Sequence, residues 1–168
     1  INKIFTRGGI ANVDKIREFA ELPKTTDELK SISKYFDQND IYLEDDFNET
    51  KIKSLDLEKY SVLSFATHGI VANELSNINE PGLITTPPIK GTADNDGVLS
   101  SSEIKNLKLN AELVILSACN TAADDGSSSA EGLSGLTSSF FYAGARSLLV
   151  SHWYVEDEST VDLMKSTF

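Results

Sequence analysis

The sequence predicts a three-layer α/β domain with a mostly parallel central sheet and helices on both of its faces. Three observations predict it. From Pro23 onward, helical and strand-like segments alternate, the pattern of a parallel sheet with helices packed on it. The segments 61–66, 113–117 and 147–151 read as short apolar runs, as strands buried on both faces do. A chain of 168 residues with 40% hydrophobic and 24% charged residues has ordinary globular composition. At that length about two-thirds of the unfolded surface can be buried, which suits one domain spanning 1–168.

The elements follow in chain order. Ile1 to Phe5 reads as the tail of a first strand, Gly8-Gly9 as a loop at its end, and 13–22 as a short helix. Thr25 or Thr26 caps a helix running to about residue 36, with Leu29, Ile32, Ser33 and Phe36 on one face. A short strand is expected at 41–43. Asn48 caps a helix to about residue 55, with Ile52 and Leu55 inward. The strand at 61–66 comes next, and 69–99 reads as irregular apart from a strand at 83–85. Ser100 with Glu103 forms a capping box that opens a helix to about residue 107. The most apolar strand is 113–117. A buried helix over 133–143 is ended by Gly144, and the strand at 147–151 follows. Glu156, Asp157 and Glu158 place negative charge at the start of a last helix, which still runs at Phe168, so the chain reads as part of a larger protein.

Charge and cysteine usage exclude several function classes. The formal net charge is -11, and residues 109–168 hold only Arg146 and Lys165 against eight acids. Phosphate backbones and anionic membranes are repelled by such a field, so nucleic-acid and membrane partners are not expected, whereas basic partners are favoured. One cysteine precludes an internal disulfide, and Cys119 with His68 and His152 makes no zinc-site spacing, so no metal or other cofactor is expected. With no signal-peptide pattern and no apolar run near ~20 residues, a cytoplasmic setting is expected.

Two apolar strands run into reactive residues. The strand at 61–66 leads to Thr67-His68-Gly69, and that at 113–117 leads to Ala118-Cys119-Asn120. The connection between them is long and contains a helix, as a crossover between parallel strands requires. Neighbouring parallel strands finish at one edge, about 4.8 Å apart, where open α/β sheets place their sites. His68 and Cys119 would then face each other. An imidazole can take the thiol proton and later protonate a leaving amine while the thiolate attacks a carbonyl carbon. The oxyanion needs backbone donors, and the N–H groups of Gly69 and Cys119 are the candidates.

These residues also carry a resemblance. Phe65-Ala66-Thr67-His68-Gly69, followed by Leu113 through Thr121, resembles the paired signatures of the CHAT domain. Leu22-Pro23 with Thr25 and Glu28 is similar to the family's opening helix, and Asp96-Gly97-Val98-Leu99 with Glu103-Ile104 to its middle segment. Glu131-Gly132-Leu133, Gly135-Leu136, Phe140, Ala143-Gly144-Ala145-Arg146, and Trp153 with Asp157 through Thr160 resemble its C-terminal half, so the similarity covers roughly 22–168. His68 precedes Cys119 by 51 residues, a caspase-type order. Two departures are visible. Asn120 stands where an acidic residue is common, and His152-Trp153-Tyr154 stands where Leu-Trp-Pro is common.

The resemblance implies a caspase-like α/β/α sandwich and a cysteine endopeptidase acting on a protein or peptide substrate. It implies His68 as general base and acid, Cys119 as nucleophile and Gly69 as an oxyanion donor. It also implies a regulatory domain such as tetratricopeptide repeats, in the same or another chain, that would order the polar loop at 120–130. The alternative reading is a non-catalytic CHAT module serving as a binding or scaffold domain. A class I amidotransferase-like enzyme fits less well. Its Gly-x-Cys-x-Gly elbow is missing around Cys119, and its His follows the nucleophile rather than preceding it.

Weaker signals remain. Glu131, Trp153 and Asp157 are candidates for a substrate pocket, with Asp124, Asp125 and Glu158 as further carboxylates for a basic side chain; Asp157 and Glu158 already serve as helix-start charges, and Trp153 suits core packing. Thr92, Asp94, Asp96, Gly97, Leu99 and Glu103 fall at EF-hand-like positions, but Thr92 replaces the first acid and Pro87-Pro88 bars an entering helix.

Overall fold

The computed structural model describes residues 9–19, 21–117 and 129–150. Three parallel strands form one sheet, in the order β1-β5-β6: β1 is Val62–Ala66, β5 is Leu113–Ser117 and β6 is Leu148–Val150. The period of two along β5 sends successive side chains to opposite faces. Val114 and Leu116 pack with Ile104, Leu136 and Phe140, the last three from helices α4 (Ser101–Ile104) and α5 (Ser129–Ala143). Ile115 packs on the other face with Ile32, from α2 (Thr25–Ser33). The sheet is thus flanked by helices on both sides, as the sequence pattern predicts.

Local chemistry explains the helix ends. The Asn48 side chain accepts from the Lys51 N–H and opens α3 (Glu49–Ser54). Glu103 accepts from the Ser100 N–H at 2.9 Å and closes the capping box of α4. After α5, Ala145 N–H donates to Phe140 O and Gly144 N–H to Phe141 O, a Schellman ending with Gly144 at φ +116°. A Cβ there would collide with the Leu109 carbonyl oxygen, so only glycine fits. The helices at 13–22, 25–36 and 100–107 are shorter than expected. The first, α1, is Val13–Ile16, and α2 starts after Lys24 with no side-chain cap, the Thr25 hydroxyl instead donating to Leu22 O.

Two strand expectations need correction. Residues 41–43 join no ladder among the described residues; a 3-10 turn, Glu44–Asp46, follows them, and a charged flank on each side offers little apolar surface to a sheet. Residues 69–99 hold the strand expected at 83–85, found at Gly82–Ile84, and also two strands that the sequence pattern does not predict. These strands are β2 (Gly69–Ile70), β3 (Gly82–Ile84) and β4 (Val98–Ser100), which form a second, antiparallel sheet in the order β2-β3-β4. Strands of two or three residues are too short to show a period in sequence, and their burial rests on contacts with distant residues such as Ala11 and Ile16. The first strand expected at 1–5 and the last helix from Glu156 lie outside the described residues.

Candidate active site

The site is built on the carboxyl ends of β1 and β5. These strands pair in parallel, Ala66 opposite Ser117. One hydrogen bond extends the ladder, from Thr67 N–H to Ser117 O at 3.3 Å. His68 is therefore two residues beyond the end of β1, and Cys119 is two residues in sequence beyond the end of β5. Cys119 itself lies outside the described residues, as do the 120–130 loop up to residue 128, Trp153 and Asp157; Glu131 lies in α5 with its side chain outside the description.

His68 is locked from two directions. Its carbonyl accepts from Ile84 N–H at 2.8 Å, and the hydroxyl of Thr67 donates to Ile84 O at 2.7 Å. The Phe19 ring lies against the half-buried imidazole, with 5.3 Å between centroids. The bond from Ile84 N–H to His68 O continues the β2–β3 ladder one residue beyond the Gly69–Leu83 pair. Gly69, opposite Leu83, is consequently in a non-hydrogen-bonded position, and its N–H points away from β3.

A groove of 1410 Å³ runs from His68 along β1, lined among others by Phe19, Leu29, Tyr42, Phe65 and Thr67. The expected strand residues 41–43 line this groove instead of pairing.

Two buried carboxylates, Glu28 and Glu49, have structural partners that the residue pattern does not reveal. Glu28, only 3% exposed, accepts from the Ser117 hydroxyl at 3.2 Å. Helix α2 runs antiparallel to β5, because Glu28 meets Ser117 while Ile32 meets Ile115 one turn on. Its first turn therefore reaches the carboxyl edge. The available signal was a charged residue one turn before Ile32, on the face that the apolar period marks as buried.

The second feature resolves the EF-hand-like segment. Glu49, fully buried, accepts from Asp96 N–H at 2.7 Å and Gly97 N–H at 2.8 Å. The Lys53 ammonium donates to Glu49 at 2.7 Å, Asp94 O at 2.6 Å and Glu103 at 2.8 Å. Asp96 accepts from the backbone of Ala11 and Val98. A side-chain cation thus sits among the oxygens a calcium ion would need, and no cluster of metal-ligating groups stands among the described residues. Burial would lower the Lys53 ammonium, but its hydrogen bonds to Glu103 and Glu49 outweigh that and hold it above its ordinary value. Burial pushes the Glu49 carboxyl up, against the pull of Lys53 and the Asp96 N–H.

The model of the CHAT domain family matches residues 9–168. The chain belongs to the CHAT domain family. The match reaches further toward the N-terminus than the resemblance read from residue 22, taking in α1 and Phe19. CHAT domains are related to caspase-like proteases. No curated protein and no solved structure matches the chain. No helix among the described residues is long and apolar enough to cross a membrane.

Proposed function

We propose that this CHAT domain is a caspase-like cysteine endopeptidase domain with Cys119 as nucleophile and His68 as general base and acid, built as a caspase-like sandwich. The observation that carries the reading is the parallel pairing of β1 with β5 in the register Ala66 to Ser117, which brings the strand leading to His68 and the strand leading to Cys119 to one sheet edge. In this reading His68 takes the thiol proton as Sγ attacks the scissile carbonyl carbon. The N–H groups of Gly69 and Cys119 receive the oxyanion. His68 then protonates the amine as the C–N bond breaks, and water attacks the resulting thioester, losing its proton to His68, to release the acid and restore the thiol. The substrate is a protein or peptide in the cytoplasm, taken up in the groove that His68 lines. A regulatory domain, such as tetratricopeptide repeats, orders the 120–130 loop and switches activity on.

The test is turnover of peptide substrate by the activated full-length protein. Cys119→Ala and His68→Ala should each abolish cleavage to a similar extent, and the double variant should lose no more, because the two residues act as a unit. Circular dichroism controls for folding. Full activity in Cys119→Ala refutes the nucleophile assignment.

A further inference from the structure

We propose that Glu28 is a positioning residue for the nucleophile, holding the end of β5 through Ser117 so that Cys119 meets His68; the inference rests on the cysteine-peptidase reading above.

The juxtaposition is specific. Ser117 is the last residue of β5 and is held twice. Its carbonyl accepts from Thr67 N–H, which ties it to the strand of His68. Its hydroxyl donates to Glu28, which ties it to the first turn of α2. The arrangement mirrors the other half of the site, where the Thr67 hydroxyl fixes the residue before His68 onto Ile84. Each chain segment that leads to a reactive residue is thus anchored by a nearby upstream hydroxyl, one residue before His68 and two before Cys119.

Burial gives the argument its force. A carboxylate that is 3% exposed is costly to bury unless hydrogen bonds compensate it. Holding α2 against the sheet does not require a carboxylate, since Ile32 and Phe36 already supply an apolar contact to Ile115. A buried acid at the catalytic edge of a sheet, rather than at its middle, is the placement expected of a group that serves the site. Glu28 does not line the groove, so it acts through Ser117 rather than by touching substrate.

The experiment reads the alkylation rate of Cys119 by iodoacetamide at neutral pH, by mass spectrometry of the Cys119 peptide in the whole protein. A thiol paired with an imidazole carries more thiolate than an isolated one of ordinary pKa, so losing the pairing slows the reaction about tenfold. His68→Ala sets that reference. Glu28→Ala should slow alkylation to the same extent, Ser117→Ala should slow it in the same direction, and the double variant should be no slower than Glu28→Ala. Glu28→Gln keeps an acceptor for the Ser117 hydroxyl and should stay within about threefold of the parent. A purely structural role would lower the melting temperature of Glu28→Ala and leave the alkylation rate where it was. If His68→Ala slows the reaction while Glu28→Ala and Ser117→Ala do not, the Glu28 inference fails and the dyad stands. If His68→Ala has no effect, the dyad fails and this inference with it. Should Glu28→Ala not fold, Ser117→Ala and Glu28→Gln decide: an unchanged rate in Ser117→Ala, or a tenfold loss in Glu28→Gln, overturns it.

Discussion

Replacing Glu49 by alanine should cost about 4 kcal/mol of folding stability. The side chain is fully buried and serves three donors, the N–H groups of Asp96 and Gly97 and the ammonium of Lys53. Each buried N–H left without an acceptor costs roughly 1–3 kcal/mol, and breaking a buried ion pair about 3–5 kcal/mol. The two estimates overlap rather than add, because Lys53 keeps Glu103 and Asp94 O as partners. In a domain of this size the loss lowers the melting temperature by roughly 10 °C. Glu49→Gln is the informative control. Its amide oxygen can still accept from both N–H groups, but its amide nitrogen faces an ammonium, so it should lose about half as much. Urea denaturation checks both variants, with a constant slope as the sign of an unchanged transition. Equal losses in Glu49→Ala and Glu49→Gln would refute the claim that the bonds from the Asp96 and Gly97 N–H groups carry about half of the effect. The hub also has a pH signature. Lys53 titrates above its ordinary 10.5 in the folded chain, so its contribution is fully present below that pH and declines as pH rises through the higher folded value. Lys53→Met should flatten that alkaline loss.

Two further outcomes follow from the fold. Gly144→Ala should destabilise the domain by about 3 kcal/mol, because φ +116° is a conformation other residues avoid and the new Cβ meets the Leu109 carbonyl; a urea midpoint equal to that of the parent would contradict this. Millimolar calcium should leave the melting temperature unchanged, since Lys53 already occupies the oxygens around 94–103; a calcium-dependent rise would restore the EF-hand-like reading.

Much of the domain was legible in the residues themselves. Apolar runs at 61–66 and 113–117 specify strands, the second buried on both faces and the first half-buried along the groove, and the helix-length connection between them specifies parallel pairing. Asn48, the Ser100–Glu103 box and Gly144 specify their helix ends because capping is a local exchange of hydrogen bonds. His68 and its place at a strand end were readable for the same reason: a short apolar strand followed at once by polar residues has one carboxyl end. Tertiary structure alone decided what depends on distant partners. The strands β2 and β4 exist only because β3 lies between them, and no period of two or three residues announces that in sequence. Residues 41–43 have strand-like character yet find no partner among the described residues, since a strand is made by its neighbour as much as by its own side chains. Glu49 and Lys53 resemble an exposed i, i+4 pair on a helix until the 94–103 segment folds over them and makes one of them fully buried. Glu28 looks like a first-turn acid serving the helix dipole; only the antiparallel run of α2 over β5, which brings residues 89 positions apart within hydrogen-bond distance, sets it beneath Ser117.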